Sequence, residues 1–202
     1  MTTQTDTAPL SLLPPLASFD SIGLDDLNRC LTAWEHKMGP WLRPDYGDQW
    51  LYGLRHEGRL VAVTAACALM TPRCAAGLSR AEAFELGRVC AIAPDWCRVA
   101  VRLWRMTIYP AICTARDHQW AISYQDALLH SGDLYRHDGW SRIAFARGSS
   151  STDQRTGRKG RDKWIWGWHA DPAVRRAAEL PQATIDAIQA RLDARKETSR
   201  AA

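Results

Sequence analysis

The chain has 202 residues, 46% of them apolar, with six cysteines, a formal charge of +4 and a pI near 8.8. This suits one domain with a true core plus tails, and leaves no room for a second full domain. Apolar runs too short or too charged to cross a bilayer, a start without a basic region before an apolar one, and the absence of any Cys-x-x-Cys pair argue against membrane, secreted and disulfide- or zinc-framework classes; the expectation is a soluble cytoplasmic protein with core thiols.

Residues 1–19 mix Thr, Pro and scattered leucines and read as a loose arm that docks through Leu12, Leu13 and Leu16. Asp20 or Ser21 is placed to cap a helix through Leu24, Leu27, Leu31 and Trp34, which Gly39-Pro40 stops. After a turn, residues 50–55 and 59–67 form an antiparallel hairpin around His56-Glu-Gly58, where glycine supplies the positive φ of a tight connection. An irregular stretch, 71–81, leads to the central unit: a strand (83–92), a helix (96–116) that Pro110 should kink or divide, and a strand (119–124). Strand, helix, strand makes the two strands parallel and the crossover right-handed. A short helix (131–139), a strand (141–146), a basic loop (147–162), a strand with Trp164, Trp166 and Trp168 on one face and a solvent-facing helix (181–196) complete the chain. The expectation is an α/β fold with a central mixed, twisted sheet and helices on both faces, spanning 20–170, between the 1–19 arm and a C-terminal helix and tail, 171–202.

Ligands bind open α/β sheets at the carboxyl ends of parallel strands, and there the sequence places Arg88 and Asp126. Arg88 stands in an otherwise apolar run, so it either pairs with Asp126 or Glu85 or grips a carboxylate or phosphate bidentately. Asp126 either accepts a proton from a reacting amine or caps the turn that follows it. Tyr124 and Tyr135 either stack on a base or donate a hydrogen bond to it, or pack half-buried on the sheet. His130 and His137 match no local metal motif; with Asp126 or Asp133 they would form a ferrous-iron set only if folding assembled it. Arg155, Arg158, Lys159, Arg161 and Lys163 face a single anion, Asp162, and with Arg147 they form either a phosphate-tracking loop or a solvated tip.

The order of elements over 24–169, with the ending Leu134-Tyr-Arg-His-Asp-Gly-Trp140, resembles the acetyltransferase-like (GNAT) fold. Residues 93–100 depart from it: they lack the glycine-rich turn that holds the pyrophosphate of acetyl-CoA and carry Asp95, which argues against the usual acetyl-CoA site and leaves the cofactor open. Within that fold the chain is similar to the phage Mom-type DNA-modification family in Leu86-Gly-Arg-Val-Cys90, Ile122-Ser-Tyr-Gln-Asp126 and His130-Ser-Gly-Asp-Leu-Tyr-Arg-His-Asp-Gly-Trp140. The resemblance implies methylcarbamoylation of the exocyclic amine of adenine in duplex DNA, protecting phage or mobile-element DNA from restriction inside a bacterial host. It implies Arg88, Asp126 and Tyr135 as the residues at the reacting centre; on this reading Tyr124 and Tyr135 shape the base pocket, and Ser123, Tyr124 and Trp140 are the expected substrate-binding residues. Double-stranded DNA is then the partner, its target base extruded, and a homodimer is compatible with this. Two other readings stand beside it: an acyl-CoA-dependent N-acyltransferase for a small amine or protein, and a DNA-binding or anti-restriction protein without chemistry.

Overall fold

The computed structural model describes residues 16–43, 48–148, 152–153 and 158–201. Alternating apolar strands build one seven-stranded sheet and a separate two-stranded ribbon. The strands are β1 (Ala17–Ser21), β2 (Gln49–His56), β3 (Arg59–Ala68), β4 (Ala83–Ala91), β5 (Trp120–Asp126), β6 (Ser141–Ala146), β7 (Thr152–Asp153), β8 (Arg158–Lys159) and β9 (Lys163–His169). In the large sheet they run in the order β1-β2-β3-β4-β5-β9-β6, all pairs antiparallel except β4 with β5. The β2–β3 hairpin turns on Glu57 (φ 51°) and Gly58 (φ 76°), the two left-handed residues that a primed two-residue turn requires.

Helix α1 (Leu24–Ala33) lies on one face, its buried Leu27, Cys30 and Leu31 packing on Val63, Ala65 and Cys67 of β3 and Cys90 of β4. The other face is covered by α2 (Pro94–Leu103), a π-helical turn (Trp104–Ile108) and α3 (Tyr109–Arg116). Pro110 has no N–H to give the helix. The π turn just before it absorbs the mismatch, and the irregularity expected at this proline takes the form of a π segment between α2 and α3. Trp104, Ile108 and Ile112 from this helix meet Phe84, Leu86, Trp164, Trp166 and Trp168 in the main core. The alternating tryptophans are thus a packing face, 1%, 3% and 8% exposed.

Three expectations at the ends of the chain are corrected. Asp20 and Ser21 cap no helix: both belong to β1, which pairs along β2, and α1 starts after Gly23. The arm is therefore part of the sheet from Ala17 onward; Leu12 and Leu13 lie outside the described residues, and Leu16 is exposed. At the other end, α5 (Pro172–Ala178) was not anticipated, and α6 (Gln182–Ala201) does not simply face solvent. Its Ile185, Ile188 and Leu192 sit in the main core, so the C-terminal helix belongs to the domain. The four-residue α4 (Asp133–Arg136) follows β5. Cys30, Cys67, Cys74 and Cys90 are buried free thiols, as expected of core cysteines, and among the described residues no helix is long and apolar enough to cross a membrane.

Candidate functional site

The parallel pairing of β4 and β5 covers only Ala83–Glu85 against Trp120–Ile122, after which the strands diverge. Two local features hold them apart. On β4, Ala65 of β3 faces Arg88 while Ala66 faces Leu86, so Gly87 is an extra, bulged residue. A Cβ on it would sit 2.9 Å from the ring of Trp41 and 3.1 Å from Glu85 Oε1, which explains glycine there. On β5, Ser123 Oγ donates across the gap to the Leu86 carbonyl (2.8 Å), replacing a missing rung of the ladder. A cavity of ≈ 1330 Å³ opens where the strands part, walled by the 35–43 segment, β4, the start of α2, the end of β5 and the loop after it.

Arg88, Asp126, Tyr135, Ser123 and Tyr124, predicted from the sequence, all line this cavity. The bulge shifts the alternation of β4, so Arg88 points with Cys90 to the α1 side, its guanidinium 5.2 Å from the Trp41 ring centre. The two carboxylates expected to face it are engaged by other arginines. Glu85, buried on the cavity wall, pairs with Arg43 at 2.5 Å, and Asp126 pairs through Oδ2 with Arg161 at 3.1 Å. Asp126 Oδ1 accepts the backbone N–H groups of Leu128 and Leu129 (3.0 and 3.1 Å), so its visible work is to cap the loop.

Tyr135 hangs from α4 against Trp166 (5.8 Å, stacked) and Trp140 (5.4 Å, edge-on). Its oxygen is 2.6 Å from Ser123 Oγ. Ser123 already gives its one hydrogen to Leu86, so Tyr135 is the donor in that contact. Burial pushes the Tyr135 hydroxyl up to about 12, so it stays protonated at physiological pH. Tyr124 is also shifted upward, first by burial and then by Glu85, and Lys163 Nζ lies 5.4 Å from its ring centre.

Trp140 is the clear correction among the predicted pocket residues. It is 4% exposed, packed between Trp104 and Trp168, and its indole N–H donates to Asp138. An aromatic that follows a left-handed glycine, Gly139, is turned inward here to close the core. Of the basic loop, Arg161 and Lys163 reach the cavity wall, whereas Arg147 is exposed and is not among the residues that line it. Arg155 lies outside the described residues, and for Arg158 and Lys159 the strand β8 is described but not the side chains. His130 lines the cavity, and His137 Nε2 lies 3.8 Å from Asp133; among the described residues no three His, Cys, Asp or Glu side chains are grouped so as to hold a metal, so the iron set is not assembled there.

Sequence reasoning missed two groups. Glu85, considered only as a mate for Arg88, is a buried carboxylate at the cavity wall. His36, after α1, also lines the cavity. Burial, then the nearby positive Arg88, then His130 push its imidazole down to about 4, so the ring is neutral at pH 7. Its Nδ1 accepts from the Met38 N–H (3.2 Å), which leaves the hydrogen on Nε2 and makes the ring a neutral donor. Cys97, also on the wall, is pushed up to about 11 by burial and is a thiol, not a nucleophilic thiolate.

The fold raises the question of acetyl-CoA, and α2 answers it. The helix opens with Pro94, which has no N–H, then Asp95, and its cap residue Ala93 offers no side chain. A pyrophosphate needs several free amides and no carboxylate at that spot, so these residues do not fit it.

No protein-family model and no curated protein matches the chain. Solved structures do. An aminoglycoside 6'-acetyltransferase type Ii superposes with a TM-score of 0.51 at 10% identity, over 75% of this chain and 96% of that one. A ribosomal-protein-S5-alanine acetyltransferase from Vibrio fischeri gives 0.51 at 9% identity, over 79% and 96%. An N-acetyltransferase from Staphylococcus aureus Mu50 gives 0.51 at 10%, over 77% and 99%. The likeness to the DNA-modification family stays on the short motifs quoted from the sequence. At these identities the shared property is the architecture, and the chain has the GNAT fold.

Proposed function

We propose that the chain is a transferase that places a small carbonyl-bearing group on an amine held in the cavity between β4 and β5. The observation that carries this is the strand splay itself, which gathers Glu85, Arg88, Tyr135 and His36 around one open space. Two fold neighbours, an aminoglycoside 6'-acetyltransferase and a ribosomal-protein-S5-alanine acetyltransferase, support the same class of chemistry. As the new C–N bond forms, the bond between the carbonyl carbon and the donor's leaving group breaks; the amine gives up one proton to the protein, and the departing group takes one from solvent. Glu85, paired with Arg43 on the cavity wall, is the acceptor of the first. The Tyr135 oxygen, its hydrogen turned to Ser123, presents a lone pair that orients the amine. Arg88 holds the carbonyl side or the leaving group in two-point contact, and the His36 Nε2–H steadies the developing negative oxygen.

The acceptor amine is proposed to be that of adenine in duplex DNA, as the Mom-type motifs imply. Two observations speak for this reading: the start of α2 does not fit a pyrophosphate carrier, and the cations Arg161 and Lys163 line the cavity. The fold neighbours, which are acetyltransferases, speak instead for the second reading, an acyl-CoA reaction on a small amine or protein. Mass spectrometry of nucleosides from the DNA of cells making the protein tests it; a modified deoxyadenosine is expected. Unmodified DNA together with a rise in melting temperature on adding acetyl-CoA would hand the site to acyl-CoA chemistry. Duplex binding without any covalent product would reduce the protein to a DNA-binding role.

A further inference from the structure

Exposed apolar side chains occur along the cavity wall and on the loop that leaves it after β5. Leu128 and Leu129, 36% and 52% exposed, form the tip of the loop after β5, and Met38, Leu42 and Ile92, 38%, 68% and 54% exposed, belong to segments that line the cavity with Leu129. A soluble protein does not group large apolar side chains in this way without a use for them. The tip is also braced. Asp126 Oδ1 holds both leucine amides, Gln125 Nε2 donates to the His130 carbonyl (2.5 Å), and Trp166 Nε1 fixes Gln125 from below (2.7 Å). Gly132, at φ 85°, closes the loop where a Cβ would strike Gln125 Oε1 and Trp166.

Charge says what the tip meets. Six arginine or lysine side chains line the cavity (Lys37, Arg43, Arg88, Arg98, Arg161, Lys163) against four carboxylates, of which Glu85 and Asp126 are bound by arginines of the same wall. A rigid apolar point flanked by cations and set beside a large cavity complements a polyanion with a stacked apolar interior. Resting on the nucleic-acid reading above, we propose that Leu128 and Leu129 are a wedge that enters the base stack of duplex DNA and holds the gap left when a base turns into the cavity. Asp126 then acts as the brace of the wedge, and Arg161 joins that brace to the phosphate side.

The test uses the full chain and a set of duplexes of varied flanking sequence, each with one 2-aminopurine opposite thymine, whose emission rises on unstacking. Binding that weakens with salt and a several-fold rise in emission are expected for the wild type. Leu128→Ala/Leu129→Ala, both positions being exposed, should keep its melting temperature, bind within about tenfold of the wild type and lose the rise, and an abasic site opposite the probe should restore it. Salt-dependent binding without a rise, or a rise that the double variant keeps, overturns the wedge alone. Failure of the wild type to bind any duplex overturns the wedge and the nucleic-acid reading together, and capture by anionic phospholipid vesicles instead would assign the tip to a lipid surface.

Discussion

Tyr135 and Ser123 show how one residue pair can serve both fold and site. Their 2.6 Å contact continues to the Leu86 carbonyl and so ties α4 to the point where β4 and β5 part. Removing the hydroxyl with Tyr135→Phe should cost about 1 kcal/mol in a urea titration, and lower product yield by roughly 10²-fold or more if the oxygen orients the amine. His36 gives a pH signature. Its pKa is about 4 in the fold and near 6.5 when exposed, so the unfolded chain binds more protons between those values. Stability should be fully present above pH 6.5 and fall as pH drops toward 4; His36→Gln should flatten that part of the profile, read from denaturation midpoints at pH 7.5 and 5. The positions of Arg88 and Asp126 on one cavity were legible in the sequence because strand ends are local, while Tyr135, on α4, was marked by the family resemblance. Their partners were not: Arg43 and Arg161 come from 42 and 35 residues away, and nothing in the local pattern selects them over Arg88. His36 carries no local mark at all, since its neutrality comes from tertiary burial.

Among the elements, those with a repeating pattern or a turn residue could be read in advance, and the β2–β3 hairpin and the two strands around the crossover helix occur where alternation put them. β1 could not, because a five-residue edge strand draws its order from the ladder along β2 and has little apolar pattern of its own. The loop from β5 to α4 depends on Gly132, whose backbone is left-handed and whose missing Cβ makes room for Gln125 and Trp166 at 2.5 Å. Gly132→Ala should therefore destabilise the protein by about 2 kcal/mol or more, through strain and overpacking together, seen as a lower thermal midpoint. A matching change at Gly87 would push on Trp41 and distort the bulge that aims Arg88.

At the scale of the molecule, the sheet is sealed on the α2 side by α6, a helix whose apolar stripe was visible but whose seat in the core was not. Leu192 is 2% exposed in the main cluster, so Leu192→Ala should cost about 2–5 kcal/mol in equilibrium unfolding, as much as a central core position. A helix at the rim of an independent tail would have shown almost nothing.

The sheet order carries one further consequence. β9, residues 163–169, occupies the slot between β5 and β6, both of which leave the ribosome before it. Until it arrives, β5 offers a bare hydrogen-bonding edge and β6 has no neighbour in the sheet, the condition in which nascent strands find one another in place of their own chain. Chains stopped at residue 162 should collect in the insoluble fraction, and synthesis slowed just before that point should make the full-length protein more dependent on chaperones.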